Sequence, residues 1–418
     1  MESYFLDWAN LLLRWLHVIT AIAWAGASFY FVMLDNSLTP PKDQASKDKG
    51  VGGELWAVHG GGFYNSQKYL VSPKVLPDNL HWSYWESYST FLSGFALLGV
   101  SYLWNPSVYL IDRSRMDWSP TWAVCAALAA LVIFWLLYDG ICKIVSRQMG
   151  MGGRGDVLLG ALVALWVGAS AYVMCQLFAP RAAFLLVGAM IATSMSANVF
   201  FWIIPGQRSN VAALRGGQAV DPINGLRGKQ RSVHNTYFTL PVVFAMLSGH
   251  YSFTWSHPQA WLVLVVMMFA GAAIRQFFVA RHKYKLGLLP NPLPYALAGV
   301  VAILAVIVWL RPAPAASVAQ GSAINSIAVG AYGIGATADF GYKTIAPILA
   351  QRCTQCHGAQ VQMKNLRLDS AARVQQHAQA IYQQVVVTRV MPMNNATGIT
   401  EAERLQIKAW FEAGAQVP

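Results

Sequence analysis

Charged residues are scarce in this chain: they make up 11% of its 418 residues, whereas hydrophobic residues make up 56%. Soluble globular domains carry about 25% charged and about 45–50% apolar residues. The deficit excludes a single soluble domain with an ordinary surface, a disordered chain, and a nucleic-acid-binding domain with a dense basic face. A polytopic membrane protein, surrounded by membrane lipid, fits this composition. The 16 Trp and 17 Tyr residues agree with it, because such rings collect at membrane–water interfaces.

Eight apolar stretches are long enough to cross a bilayer, which takes about 20 helical residues. They lie near residues 12–34, 87–104, 121–142, 157–178, 182–204, 237–254, 259–280 and 293–310. We therefore expect an all-α, polytopic membrane bundle of about eight transmembrane helices. The first stretch follows an acidic segment without a basic region, and no small-residue cleavage site follows it. We expect a retained anchor rather than a cleaved signal peptide.

The distribution of Lys and Arg predicts the orientation in the membrane. Sixteen of these residues lie in the odd-numbered loops and five lie on the opposite side. By the positive-inside rule, the odd loops face the cytoplasm, and both termini lie on the outer side of the membrane. This topology accounts for most of the net charge of +12, so the charge requires no nucleic-acid partner.

The composition changes after Arg311. Residues 1–311 are predicted to form the transmembrane domain. Residues 312–338 are small and nearly uncharged, which is typical of a flexible tether. Residues 339–418 return to a soluble composition and are predicted to form a second domain.

One motif in the second domain carries recognisable chemistry. Cys353, Cys356 and His357 form a C-x-x-C-H pattern, which is the attachment site of c-type haem. The two thiols bond the porphyrin covalently, and the imidazole of His357 ligates the iron. A zinc site would need two more Cys or His ligands, and only His377 is available nearby. A redox dithiol would not require the His. We therefore expect one covalent haem c.

The sixth iron ligand of such a haem is Met or His. Met391 is the expected ligand, with Met393 as the alternative, and the domain is predicted to be a class I-like cytochrome c domain. Thr400 and Glu403 form a capping box that begins a helix with an apolar face of Leu405, Ala409 and Trp410. Because Met/His ligation raises the haem potential, we expect this domain to accept electrons.

Four sequence runs in the membrane domain narrow the family. They are His59-Gly-Gly-Gly-Phe-Tyr64, Trp82-x-x-Trp85-Glu86-x-Tyr88, Phe200-Phe-Trp-Ile-Ile-Pro-Gly-Gln207-Arg208 and Lys229-Gln-Arg-Ser-Val-His234-Asn235-x-Tyr237-x-x-x-Pro241. Together with the fused cytochrome they resemble the membrane-bound urate oxidases (urate hydroxylases) of bacteria. The resemblance implies oxidation of urate to 5-hydroxyisourate. It also implies that electrons leave through the cytochrome to an external cytochrome c or a cytochrome oxidase.

Urate is a planar anion, so its site needs a cation, a planar hydrogen-bonding clamp, a stacking wall and a base. An intramembrane Arg is a functional candidate by default. The candidate residues share a similar depth in the cytoplasmic third of the bundle, and they are Arg275, Gln276, His234, Glu86 and Asn198. Each residue alone has a structural alternative, such as an Arg275 side chain that reaches the interface.

Two further histidines lie near the outer ends of their spans, His17 in the first and His250 in the sixth. Their similar depth is compatible with bis-His ligation of one haem b. Such a haem would relay electrons between a cytoplasmic-side substrate site and haem c. The alternative is that each imidazole bonds a helix carbonyl or faces water.

Other features have simpler interpretations. The glycines after His59 are expected to let the loop backbone approach a ligand or a helix closely, and a hydrolase is excluded because no G-x-S-x-G follows. Asp139 and Lys143 are expected to pair as i,i+4 neighbours.

The competing function is a quinol-to-cytochrome electron-transfer module without substrate chemistry of its own. A haem or metal transporter would give the fused cytochrome no role.

Overall fold

The computed structural model describes residues 2–69, 72–113, 115–311, 341–363, 366–387 and 389–417. It is mostly helical, as predicted. One buried hydrophobic cluster runs from Leu98 to Met268 and a second runs from Ile345 to Ala415. The predicted tether at residues 312–338 lies outside the described residues.

Each of the eight apolar stretches overlaps a helix, although the sixth, 237–254, crosses a break between two helices at residues 249–251. The helices of this part are α1 (Glu2–Ser37), α2 (Gln44–Asp48), α3 (Trp85–Leu98), α4 (Pro106–Tyr109), α5 (Pro120–Met149), α6 (Gly153–Leu177), α7 (Pro180–Ala197), α8 (Ile204–Arg215), α9 (Pro222–Ser248), α10 (Ser252–Trp255), α11 (Ala260–Lys285) and α12 (Leu293–Trp309). A π-helical turn, Gly99–Leu103, extends α3, and another, Asn198–Ile203, joins α7 to α8.

Five helices are long and apolar enough to cross a membrane among the described residues. They are Tyr4–Ser37 of α1, then α5, α6, the continuous run Pro180–Arg215, and α11. The shorter α12 spans 17 residues, and α3 spans 14 before its π-helical turn. The first half of α9 carries Arg227, Lys229 and Arg231, so it is more polar than a lipid-spanning segment. The five long apolar helices are consistent with a membrane protein.

Glycines let the helices around α9 pack closely. A Cβ atom at Gly188 of α7 would lie 2.8 Å from the Ala245 side chain of α9. A Cβ atom at Gly271 of α11 would lie 3.1 Å from the Leu240 side chain. Small residues at such positions bring helix backbones together within membranes. Helix α9 therefore lies between α7 and α11, and it carries polar side chains into both interfaces.

The first long loop contains a β-hairpin, which departs from the predicted all-α class. Strands β1 (Val51–His59) and β2 (Gly62–Tyr69) pair antiparallel, and His59 pairs with Gly62. Gly60 and Gly61 have φ of 56° and 81°, as a two-residue hairpin turn demands. A Cβ atom at either glycine would meet nothing within 4 Å. Gly60 and Gly61 therefore form a turn with no helix against them among the described residues, and the approach to a ligand stays a prediction.

The C-terminal part consists of α13 (Tyr342–Arg352), α14 (Ala371–Gln376), α15 (Ala378–Ile381), a π-helical turn (Tyr382–Val387), a 3-10 turn (Met393–Asn395) and α16 (Glu401–Glu412). The Thr400 capping box is confirmed, because Glu403 N donates to Thr400 Oγ1 and Thr400 N donates to the Glu403 carboxylate. Helix α16 packs on α13 through Ile407 and Trp410, whereas Leu405 is 45% exposed. The predicted apolar face was wrong at Leu405.

Candidate functional site

A network of buried polar side chains joins α5, the π-helical turn after α7, and α9. The hydroxyl of Tyr138 lies 2.7 Å from Nδ1 of His234, and Nδ2 of Asn198 donates to the same hydroxyl at 2.9 Å. Asn198 also donates to Oδ1 of Asn235 at 2.9 Å. Tyr138 and Asn198 are fully buried. The π-helical turn begins at Asn198, and such turns are frequent at functional sites.

The hydrogen bonds of this network restrict where its protons lie. The carbonyl of Met195 can only accept, so Nδ2 of Asn235 faces it at 3.0 Å and Oδ1 faces Asn198. The Asn198 amide must then donate, and the Tyr138 hydroxyl receives one of its protons. One arrangement that satisfies these bonds has Tyr138 donate to Nδ1 of His234, which then accepts as a neutral imidazole with its proton on Nε2. The Asn198 Oδ1 atom has no partner among the described residues.

A buried ion cluster lies beside this network. The Asp139 carboxylate bonds Arg231 at 2.7 Å, Lys143 at 2.8 Å and the indole N–H of Trp202 at 2.8 Å. The predicted Asp139–Lys143 pair is confirmed and is part of this larger cluster. The guanidinium carbon of Arg231 lies 5.2 Å from the centre of the Tyr138 ring. Two cations against one carboxylate leave positive charge next to the buried Tyr138–His234 pair.

A second polar group lies between α11, α9 and α1. Arg275 is only 5% exposed, and its guanidinium carbon lies 3.9 Å from the centre of the Phe29 ring. Its Nε and Nη2 atoms are buried without a hydrogen-bond partner, and no carboxylate pairs with it among the described residues. The next residue, Gln276, accepts a hydrogen bond at Oε1 from the Tyr237 hydroxyl of α9. Arg275 is thus a buried cation with two free donors.

The two groups are neighbours along α9. His234 belongs to the first group and Tyr237 to the second, and residues three apart on a helix lie side by side on its surface. The structure therefore joins His234 with Asn198 through the Tyr138 hydroxyl, whereas Arg275 and Gln276 are adjacent residues of α11 and belong to the second group. The two groups are linked by α9, which contributes His234 to the first and Tyr237 to the second.

Glu86 lies at the start of α3 and is half-buried. The following residue, Ser87, donates to the hydroxyl of Ser196 at 3.2 Å, two residues before Asn198. This bond brings the beginning of α3 next to the π-helical turn. The main-chain carbonyl of Glu86 accepts from the Thr90 hydroxyl at 2.6 Å, and no described bond joins the Glu86 carboxylate to the first polar group.

His17 is oriented by α3. Its Nδ1 atom lies 3.1 Å from the Thr90 carbonyl and 3.2 Å from the Ser93 hydroxyl. Because the carbonyl can only accept, its contact favours the tautomer with the proton on Nδ1 and the lone pair on Nε2. A Cβ atom at Gly94 would lie 2.7 Å from Cε1 of His17, so the imidazole fits only against a glycine. His250 lies exposed after the end of α9. No described contact joins the two histidines.

The C-x-x-C-H residues lie just after α13. Cys353 ends the helix, and the His357 N–H donates to the Cys353 carbonyl at 2.9 Å, so the three side chains share one turn. Nδ1 of His357 is buried without a hydrogen-bond partner among the described residues. Met391 packs against the second hydrophobic cluster, which includes Cys353. No group of three or more His, Cys, Asp or Glu side chains within the described residues could hold a metal ion.

An ion pair stabilises the segment that follows this turn. The Leu368 N–H donates to the His357 carbonyl at 2.7 Å, and Asp369 comes next. Hydrogen bonds from Arg367, and then from Arg373, lower the pKa of the Asp369 carboxyl to about 2. The negative charge of Asp369 therefore persists across the physiological pH range and keeps both guanidinium groups paired next to Leu368, whose N–H bonds the His357 carbonyl.

Sequence reasoning missed Tyr138, Asn235 as a partner of Asn198, and Arg231 as a partner of Asp139. The available signal was the Tyr138–Asp139 pair, which interrupts an otherwise apolar stretch of α5. A hydroxyl and a carboxylate within a membrane helix need partners on neighbouring helices, and here α9 supplies both.

Comparison with known proteins identifies the helical part of the chain. A family model described as "Urate oxidase N-terminal" matches residues 3–311, which include α1 to α12 and both buried polar groups. No curated protein and no solved structure matches the chain. Because the matched segment covers well over half of its length, the chain belongs to the urate oxidase N-terminal family.

Proposed function

We propose that this protein oxidises urate to 5-hydroxyisourate in its helical domain and passes the electrons to a haem c bound by its C-terminal domain. The observation that carries the proposal is the family match across residues 3–311. The buried, unpaired Arg275 supports it, because an uncompensated cation inside a membrane bundle is costly unless it serves an anion.

Urate binding is assigned to Arg275. The Nε–H and the outward Nη2–H lie on the same edge of the guanidinium group, so they can donate together to two acceptors of a planar anion. The Phe29 ring holds the guanidinium plane in place. The Tyr237–Gln276 hydrogen bond next to it presents further polar atoms and fixes the Gln276 amide.

Proton transfer is assigned to the Tyr138–His234 pair. Oxidation of urate with addition of one water releases two protons and two electrons. The neutral His234 has a proton-accepting Nδ1 that already faces the Tyr138 hydroxyl at 2.7 Å. A proton taken up by Tyr138 can therefore move its own hydroxyl proton to His234. Asn198 and the ion pair of Asp139 with Arg231 hold the Tyr138 hydroxyl and ring in this geometry.

The residues around Cys353 fit a covalent haem c. Cys353 and Cys356 would bond the porphyrin, and His357 and Met391 would ligate the iron. The unpartnered Nδ1 atom of His357 and the packing of Met391 on the same core as Cys353 support this assignment. When bound, this haem supplies a one-electron acceptor that an external cytochrome c or a cytochrome oxidase reoxidises.

The topology belongs to the same proposal. We infer eight transmembrane helices in a bacterial inner membrane, odd loops in the cytoplasm, and both termini in the periplasm, with residues 312–338 as a tether to the cytochrome at 339–418. A second haem, of the b type, would use His17 as a ligand. Its Nδ1 faces a main-chain carbonyl and its Nε2 is free. Metal-binding imidazoles usually have this arrangement, with one ring N–H bonded to the protein and the other nitrogen on the metal. His250 is the proposed second ligand.

The test is anaerobic turnover by the purified, haem-loaded protein with ferric cytochrome c as the acceptor. We expect urate to disappear as two cytochrome molecules are reduced per urate, with no hydrogen peroxide formed when oxygen is admitted. Peroxide formed in step with urate loss would contradict the proposal. Cytochrome reduction by a quinol, with none by urate, would favour the electron-transfer module instead.

A further inference from the structure

The C-terminal domain contacts the helical bundle on both sides of Met391. Val390 packs against the large hydrophobic cluster of the bundle. The turn Met393–Asn395 contacts α4, the short helix in the loop before α5. The segment that carries the proposed axial ligand therefore lies on the bundle surface at α4. The inferred topology places this loop on the periplasmic side, the same side as the C-terminal domain.

Two tyrosines lead from this contact into the bundle. Tyr109 ends α4, and its ring centre lies 6.0 Å from that of Tyr102, which is 7% exposed. Helix α4, which ends at Tyr109, contacts the turn Met393–Asn395 of the C-terminal domain. Tyr109 thus lies between the buried Tyr102 and the segment that carries the proposed axial ligand Met391.

The inner end of this path reaches α1. Ser101, next to Tyr102, accepts a hydrogen bond from Nδ2 of Asn10 at 2.7 Å. Asn10 precedes His17 by seven residues, or about two helical turns and roughly 10 Å along α1. A ring contact and a hydrogen bond therefore connect α1, the helix that carries His17, with α4, which contacts residues 393–395 of the C-terminal domain.

We propose that Tyr109 and Tyr102 form the electron entry to the C-terminal domain, and that the contact of residues 390–395 with α4 is the docked state in which transfer occurs. The inference rests on the proposed function, because it requires haem c on Cys353 and Cys356. Each urate gives up two electrons, so two successive one-electron transfers pass this contact. A haem c held by Cys353 and Cys356 would take one electron at a time, so an external cytochrome c would have to accept the first electron before the second passes. Tyr109 is a positioning residue whose ring bridges the gap between the two domains.

The first arm of the test follows haem c reduction after rapid anaerobic mixing of the full-length protein with urate. Tyr109→Leu removes the bridging ring and is expected to slow reduction by about tenfold or more, whereas Tyr109→Phe keeps the ring and most of the rate. The matched control is Tyr251→Leu, an exposed tyrosine beside Phe253 in another loop on the same inferred side. An unchanged rate in Tyr109→Leu, with full covalent haem content, would overturn the inference.

The second arm needs no urate. Ser107→Cys on α4 is combined with Met393→Cys, and a short bis-maleimide is added to protein carrying an engineered protease site in the tether. We expect the two halves to stay joined after cleavage, whereas a Ser107→Cys and Gln360→Cys pair should separate. Separation of the first pair would refute the docked state even if urate reduces haem c. A third outcome is that the first pair stays joined but urate does not reduce haem c in the unmodified protein. This result would refute the proposed function and the electron entry, and only the contact between the two domains would stand.

Discussion

Replacement of Arg275 by Ala removes the buried cation that we assign to urate. Two of its donors, Nε and Nη2, have no partner among the described residues, and its plane is held against Phe29 at 3.9 Å. The side chain pairs with no described carboxylate, so its removal leaves no buried anion behind. We therefore expect the fold and the haem spectrum to survive while urate oxidation is lost.

The magnitude follows from the two free donors. Hydrogen bonds to charged groups contribute about 1.5–3 kcal/mol each, so two of them stabilise bound urate by about 3–6 kcal/mol. Since each 1.36 kcal/mol is a factor of ten, kcat/KM should fall roughly 10²- to 10⁴-fold. Arg275→Lys keeps the charge but loses the planar pair of donors, so its kcat/KM should lie between those of the native protein and the Ala variant.

The assay is steady-state urate oxidation in detergent or in lipid vesicles, with the covalent haem content measured on every sample. The matched control is Arg281→Ala on the same helix, because Arg281 also lies over a phenylalanine, 5.6 Å from the Phe278 ring centre. Its kcat/KM should stay near the native value. Near-native kcat/KM in Arg275→Ala would refute the assignment of Arg275 and move the substrate site to the Tyr138–His234 network.

Three further predictions concern other parts of the molecule. Asp139→Asn leaves the buried Arg231 without its carboxylate and should destabilise the bundle by about 3–5 kcal/mol. The measurement is the thermal unfolding midpoint in detergent, which should fall; an unchanged midpoint would contradict the structural role of the pair. Thr400→Ala removes the N-cap of α16 and should cost about 1 kcal/mol in denaturant unfolding of the C-terminal part, whereas equal midpoints would argue against the capping box. His17→Ala should abolish a non-covalent haem in a pyridine haemochrome assay, and active native protein with haem c alone would eliminate that haem.

The helices were predictable because lipid leaves the backbone no other hydrogen-bond partners, so a long apolar run must be helical. The hairpin at residues 51–69 was not predicted, although Gly60 and Gly61 are a recognisable turn signal. Its strands carry no strong alternation: Trp56, Val58 and Phe63 are all largely exposed. A local pattern of this kind is easily read as loop when the surrounding chain is dominated by long apolar stretches.

The candidate site was predictable residue by residue but not as an arrangement. Depth along a span pointed to Arg275, Asn198 and His234, and all three lie in buried polar groups. Depth along a span does not give the direction in which a side chain points around its helix. The sequence therefore did not predict that these residues form two separate polar groups, one on each side of α9. Tyr138 was missed because its partners come from helices 60 and 96 positions away in the sequence.

The most direct test of the account is the absorption spectrum of the purified, oxidised, full-length protein after anaerobic addition of urate alone. The account predicts that the spectrum of reduced haem c appears without any added quinol, at two reduced haems per urate consumed, and that Arg275→Ala loses this response while dithionite still reduces its haem. A haem c that stays oxidised while urate is consumed, or that is reduced only when a quinol is supplied, would contradict it.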